Sequence, residues 1–159
     1  MTALCFREAL QEDLSTLVEM LSDDVLGSSR EDMNRPLNQR YQEAFQAILT
    51  DANNELIVVY KHDEIIGMLQ LTFIPYLTHI GSWRCLVEGV RIHANHRGKG
   101  LGSEFLRWAI ERAKQRKCRM IQLTSDKQRH EAIQFYENLG FKATHEGFKM
   151  PLKIQEKRK

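Results

Sequence analysis

Three glycines at alternate positions, Gly98, Gly100 and Gly102, stand between a stretch that reads as a strand, residues 83–92, and one that reads as a helix from Leu101. A strand that turns into a helix here does so over a loop whose backbone can bend sharply and approach a ligand closely. The unpaired N–H groups of the helix's first turn and the helix dipole converge on that loop. Arg97 and Lys99 add positive charge beside it. The physical reading is an anion site suited to phosphate or pyrophosphate. The plainer alternative is a glycine turn with no ligand.

The remaining chain alternates between strand and helix patterns. Residues 5–10 read as a short strand, and a helix over 13–20 follows, with Leu14, Leu17, Val18 and Leu21 at helical spacing and acidic residues near its start. Gly27-Ser28-Ser29 and Pro36 mark a loop over 23–38, and Tyr41, Ala44, Phe45 and Ile48 form one stripe of a helix over 37–50. Residues 55–61 and 65–74 are the arms of a hairpin joined at His62-Asp63-Glu64, and 75–82 is a loop. Leu101, Phe105, Ala109 and Ala113, with Leu106 and Ile110 beside them, set a strong helix whose last turn carries Lys114, Arg116 and Lys117. A short buried strand over 120–123, a helix over 129–139 closed by Gly140, and a final strand pair, 141–143 with 148–154, complete the pattern. The expectation is one mixed α/β domain over residues 1–159.

Composition narrows the classes without naming a function. The chain has 159 residues, 42% of them hydrophobic and 28% charged, enough for a real core and too apolar for a disordered chain. Net charge is +2, so nothing in the electrostatics asks for nucleic acid. The apolar runs are too short for a membrane-spanning helix, and the first twelve residues do not read as a secretion signal. Cys5, Cys85 and Cys118 are odd in number and widely spaced, which points away from a disulfide framework and toward a reducing, cytoplasmic setting.

Spacing decides which phosphate site the loop can be. A nucleoside-triphosphate loop needs a glycine where His93 stands and Ser or Thr where Gly100 stands; a dinucleotide fingerprint counted from Gly98 needs a glycine at Ser103. Both fail. Arg97-Gly98-Lys99-Gly100-Leu101-Gly102 fits Arg-x-x-Gly-x-Gly instead, and here the chain resembles the GNAT superfamily of N-acetyltransferases. Ala132-x-x-Phe135-Tyr136-x-x-Leu139-Gly140-Phe141 resembles the family's second signature, and Phe6-Arg7-x-Ala9-x-x-x-Asp13-Leu14 its opening strand and helix. Where the family commonly has Asn, three residues before Ala132, this chain has Arg129. Ser125-Asp126-Lys127-Gln128-Arg129-His130-Glu131-Ala132 is similar to a subgroup that includes aminoalkylphosphonate N-acetyltransferases, which acetylate small amines bearing an acidic group.

The resemblance implies a twisted mixed sheet with a splayed central strand pair, helices on both faces and acetyl-CoA as acetyl donor. It implies that Arg97, Gly98, Lys99, Gly100, Leu101, Gly102 and Ser103 wrap the pyrophosphate. The backbone of Val90, Arg91 and Ile92 would pair with the pantetheine arm, a form of strand addition, with Ser125 and His130 also on the cofactor side. The acceptor would be a primary amine, of a small molecule before a protein or peptide. A non-catalytic acyl-CoA-binding module stays open, as does a homodimer paired through the strand at 148–154.

Amine acetylation needs three things of the residues. An ammonium with a pKa of about 10 must lose a proton before it attacks. Glu88, in the apolar stretch Leu86-Val87-Glu88-Gly89-Val90, is the candidate base through water, with partial desolvation raising its pKa; the alternative is a carboxylate at a strand edge or paired to Arg84 or Arg91. The thioester oxygen needs a donor as it gains charge, which backbone N–H groups supply if Gly89 permits a bulge. The leaving thiolate must be reprotonated. Tyr136 stands where the family places that acid, and it also lies on the core stripe of Ala132, Phe135 and Leu139.

The other reactive side chains read more plainly. His93 and His96 are three apart with no third ligand in view, so no metal site is expected. Cys85 and Cys118 read as buried apolar residues, Trp83 and Trp108 as packing, and His130 is equally a solvated helix-start histidine.

Overall fold

Runs of β-branched residues become five strands of one sheet: β1 (Cys5–Glu8), β2 (Asn54–Lys61), β3 (Glu64–Pro75), β4 (Trp83–Ile92) and β5 (Met120–Gln122), in the order β1-β2-β3-β4-β5. The computed structural model describes residues 3–153, which form two units, one up to Leu123 and one from Thr124. In the first unit β1 to β4 pair antiparallel, and β5 joins β4 in parallel. The β2–β3 hairpin turns on His62 and Asp63, whose φ angles of 50° and 62° suit a two-residue turn matched to strand twist.

The pleat sorts side chains to two faces. On one, Leu56, Val58 and Met68 pack with α1 (Leu14–Ser22) and α2 (Gln39–Thr50), through Leu14, Leu17, Val18, Met20 and Phe45. The expected stripe on α2 holds for Tyr41, Phe45 and Ile48, while Ala44 is exposed. On the opposite face α3 (Leu101–Gln115) buries Leu101, Phe105, Leu106, Ala109 and Ala113. Phe6 reaches this helix from β1, edge-on to Phe105 at 5.9 Å and stacked on Trp108 at 4.7 Å.

Two buried carboxylates fasten these layers. Asp13 takes two hydrogen bonds from the Arg7 guanidinium (2.7 and 3.1 Å) and one from the Leu10 N–H (2.7 Å). Glu55 on β2 takes Arg112 Nε at 2.9 Å and Nη2 at 2.6 Å from α3, with Arg116 Nη1 at 3.3 Å.

Some expectations change. Met120 is exposed, so β5 is not the short buried strand expected over 120–123: it is three residues long and, among the described residues, pairs only with β4. Trp83, expected to pack, is also partly exposed, at the start of β4. In the second unit α4 (His130–Asn138) forms, and Gly140 closes it at φ +96°. The final strand pair does not form among the described residues, which run to Lys153; Ile154 lies outside them. Alternation of Phe148, Met150 and Leu152 marks an apolar face, but a strand needs a ladder, and these three side chains are exposed. No helix among the described residues is long and apolar enough to cross a membrane.

Candidate active site

β4 outlasts its parallel partner. Its pairing with β5 covers Arg84, Cys85 and Leu86, opposite Met120, Ile121 and Gln122, and then stops, while β4 continues to Ile92. Beyond Leu86 no strand among the described residues of the first unit pairs with that edge. On the other edge the register slips at the same level: Gln70 faces Glu88 but Met68 faces Arg91, so Gly89 and Val90 oppose Leu69 alone. Gly89 takes φ +60°, where a side chain would be strained. The expected bulge is therefore present, and Val90, Arg91 and Ile92 follow it in the open stretch.

That stretch leads into the glycine loop. His93 still donates its N–H to the Ile66 carbonyl at 2.9 Å, and a single 3-10 turn, Ala94–His96, follows. Gly98 and Gly100 take φ +74° and +76°, and a Cβ at either would meet nothing within 4 Å. Backbone conformation asks for glycine here, and crowding does not. Gly100 is the N-cap residue of α3, and no side chain caps the helix. An uncapped helix start with open space before it fits a pyrophosphate held by N–H groups.

The basic side chains are committed elsewhere. Arg97 donates to the Asp23 carbonyl (2.8 Å), to Asp23 Oδ2 (3.0 Å) and through Nε to the Ile92 carbonyl (3.0 Å). Lys99 donates to the Asn95 carbonyl at 3.0 Å. Arg91 Nε lies 3.5 Å from Asp24 Oδ2, and its Nη1 donates to the Val90 carbonyl at 2.9 Å. Two successive acids after α1 thus hold the two arginines that flank the site. Nothing in the local sequence of the loop signals Asp23 or Asp24, because the partners are more than sixty residues away.

Glu88 sits beside the bulge, and its side chain is exposed, so the expected desolvation is absent. Neither expected partner holds it: Arg91 pairs with Asp24, while Arg84 lies over the Tyr76 ring at 4.2 Å. Ser125, His130 and Tyr136 belong to the second unit. There Tyr136 packs edge-on to Phe135 at 5.2 Å and Phe141 at 5.9 Å, while the expected stripe of Ala132, Phe135, Tyr136 and Leu139 is only half-buried. Burial pushes the Cys85 thiol up to about 12 and raises Cys118 as well, in line with inert apolar roles. A cavity of about 240 Å³ lined by Glu8, Asp51 and Glu55, and one of about 300 Å³ lined by His79, Ile80 and Met120, gather none of the expected site residues.

The profile of the acetyltransferase (GNAT) family matches residues 19–141. The chain belongs to that family. It is an acetyltransferase by membership, the family uses acetyl-CoA, and the splayed five-stranded sheet with helices on both faces is the family's fold. Among curated relatives, the aminoalkylphosphonate N-acetyltransferase of Salmonella typhimurium is 29% identical over 107 residues, 67% of this chain and 69% of that protein. A crystal structure from Bacillus halodurans C-125, described as a transcriptional regulator, is 57% identical with a TM-score of 0.91, covering 94% of this chain and all of that one. A predicted acetyltransferase of Clostridium acetobutylicum, solved with acetyl-CoA, shares the fold at 20% identity and TM-score 0.72, covering 94% of this chain and 96% of its own.

Proposed function

We propose that this acetyltransferase moves the acetyl group of acetyl-CoA directly onto the primary amine of a small molecule, with no covalent enzyme intermediate. One observation carries the reading: the open edge of β4, the Gly89 bulge and the uncapped glycine start of α3 follow one another along 16 residues of chain, from Val87 to Gly102. In this reading the main chain of Val90, Arg91 and Ile92 pairs with the pantetheine arm. N–H groups from Gly98 to Ser103 hold the pyrophosphate, and Ser125 and His130 keep the cofactor-binding role that the family resemblance gives them. Arg91 and Arg97 serve mainly through backbone, since Asp24 and Asp23 hold their side chains. Glu88, exposed to solvent, accepts the ammonium proton through water, and Tyr136 returns a proton to the leaving thiolate.

The Salmonella relative supports a small amine bearing an acidic group as acceptor. The family match crosses the boundary between the two units, which supports one functional domain over the chain. A homodimer paired through the exposed Phe148, Met150 and Leu152 belongs to the same proposal, checked by light scattering. Three free cysteines support a reducing, cytoplasmic setting.

A second reading has its own support. The Bacillus structure described as a transcriptional regulator is 57% identical, which supports a regulatory role as the second reading, with a non-catalytic acyl-CoA-binding module as its form. Thermal shift with acetyl-CoA, beside ATP and NAD, tests binding first; saturation at a hundred times Kd adds about 2.7 kcal/mol. Thiol release with a panel of acidic amines, neutral amines and peptides then separates the readings. Release with acidic amines, lost in Tyr136→Phe and Glu88→Gln while acetyl-CoA still binds, supports the proposal. Release with peptides alone moves the acceptor class. Saturable binding with no release from any acceptor favours the regulator.

A further inference from the structure

His93 and His96 lack a third ligand in the sequence, and the fold supplies one. Glu64 opens β3 directly after the His62–Asp63 turn, while the histidines lie just past the end of β4. Antiparallel pairing of β3 with β4, with Gly67 facing Ile92, brings the two ends together. One ligand atom from each of Glu64, His93 and His96 lies within 4.8 Å of the others. We propose that these three side chains form a binding site for a divalent transition-metal ion of the zinc, cobalt or nickel type.

Geometry and chemistry agree on the class. Two ligands held about 2.0–2.1 Å from a tetrahedral ion stand about 3.3 Å apart. His96 Nε2 and Glu64 Oε2 are already 3.4 Å apart. His93 completes the set within 4.8 Å, and its Nδ1 accepts only a long bond, 3.3 Å, from the Asn95 N–H. Two imidazoles and one carboxylate suit borderline ions, whereas magnesium and calcium favour all-oxygen shells. Arg97, which follows His96 in the chain, is itself paired with Asp23. Both histidines are half-buried and Glu64 is exposed, so an ion can enter from solvent and keep water in its fourth position. A bound ion ties the β2–β3 turn to the segment that leads into the glycine loop. The site does not rest on acetyl transfer, and no step of that reaction passes through the ion.

The experiment uses the full, tag-free chain after dialysis against a chelator. Zinc is titrated by calorimetry and cobalt by its visible spectrum. The expected result is one ion per chain, a higher melting temperature, and affinity reduced by more than about tenfold in Glu64→Gln, His93→Gln and His96→Gln, a scale on which even an outer partner of a ligand counts. In the unsubstituted protein, zinc should also shield His93 and His96 from diethylpyrocarbonate, mapped by mass spectrometry, which frees the test from any variant that misfolds. Equal zinc affinity in the His93→Gln/His96→Gln protein, or unshielded histidines at saturating zinc, would overturn the proposal. So would the lack of any zinc binding, leaving Glu64 and His96 as a side-chain contact only.

Discussion

The Phe105 ring of α3 occupies the place where a side chain on Gly67 of β3 would stand: a Cβ there would come closer than 3.0 Å to the ring and 2.9 Å from the Arg91 carbonyl. Phe105 is fully buried, four residues past the start of α3, so this contact seats the helix whose N-terminus is the proposed pyrophosphate site. Gly67→Ala should therefore cost about 1–3 kcal/mol by overpacking and weaken acetyl-CoA binding at the same time. Urea unfolding and a cofactor titration on one preparation check it. An unchanged midpoint would mean that the ring can swing aside and that α3 is not seated on this contact.

Gly89 and Gly100 should separate two functions that both rest on left-handed backbone. Each has open space around it, so alanine there meets no neighbour and pays only for its φ of +60° or +76°, about 1–2 kcal/mol. Gly89→Ala disturbs the bulge at the proposed place of the reacting carbonyl, and kcat should fall about 10- to 100-fold. Gly100→Ala disturbs the helix start, and the larger effect should be on KM for acetyl-CoA. Steady-state kinetics on both variants decide it; the reverse pattern would exchange the roles given to bulge and loop.

The elements nearest the site were legible because local chemistry sets them. Alternating β-formers gave β4 its bounds of 83–92, and the glycines gave a loop between that strand and α3. What stayed hidden depends on residues far apart in sequence. Asp23 and Asp24 meet arginines across more than sixty residues, and Glu64 meets His96 only because β3 and β4 pair. Glu88 shows the limit most clearly: apolar neighbours along a strand suggested burial, but alternate strand residues face opposite ways, and its side chain is exposed. The alternation at Phe148, Met150 and Leu152 likewise signals an apolar face without saying which strand would pair with it.

Glu55 should be worth more than its position in a strand suggests. It is buried, and its two oxygens take three guanidinium hydrogen bonds from Arg112 and Arg116, the latter also lying 4.2 Å over the Phe73 ring. Both arginines are only partly buried, which moderates the loss. Glu55→Ala should cost about 2–4 kcal/mol, and Arg112→Ala less than Glu55→Ala, because Arg116 remains to meet the carboxylate. Unfolding midpoints of the two variants and their double mutant measure the coupling; strict additivity would mean that the pair contributes nothing of its own.

Thiol reactivity should follow burial, and so should one part of the stability profile. Cys5 is exposed, Cys118 half-buried with a raised pKa, and Cys85 is fully buried with its thiol pushed up to about 12. At pH 8 an alkylating reagent should label Cys5 quickly, Cys118 slowly, and Cys85 only after unfolding, as peptide mapping would show. The sign of the pH effect follows from the same burial. A thiol ordinarily near 9 ionises in the unfolded chain above that pH while the native Cys85 stays neutral. Its contribution is therefore intact below about pH 9 and drains away as pH rises toward 12, by up to about 1.4 kcal/mol per unit. The stability difference between the natural chain and Cys85→Ala should shrink over that range. A constant difference from pH 8 to 11 would show that Cys85 titrates in the folded protein as it does in the unfolded one.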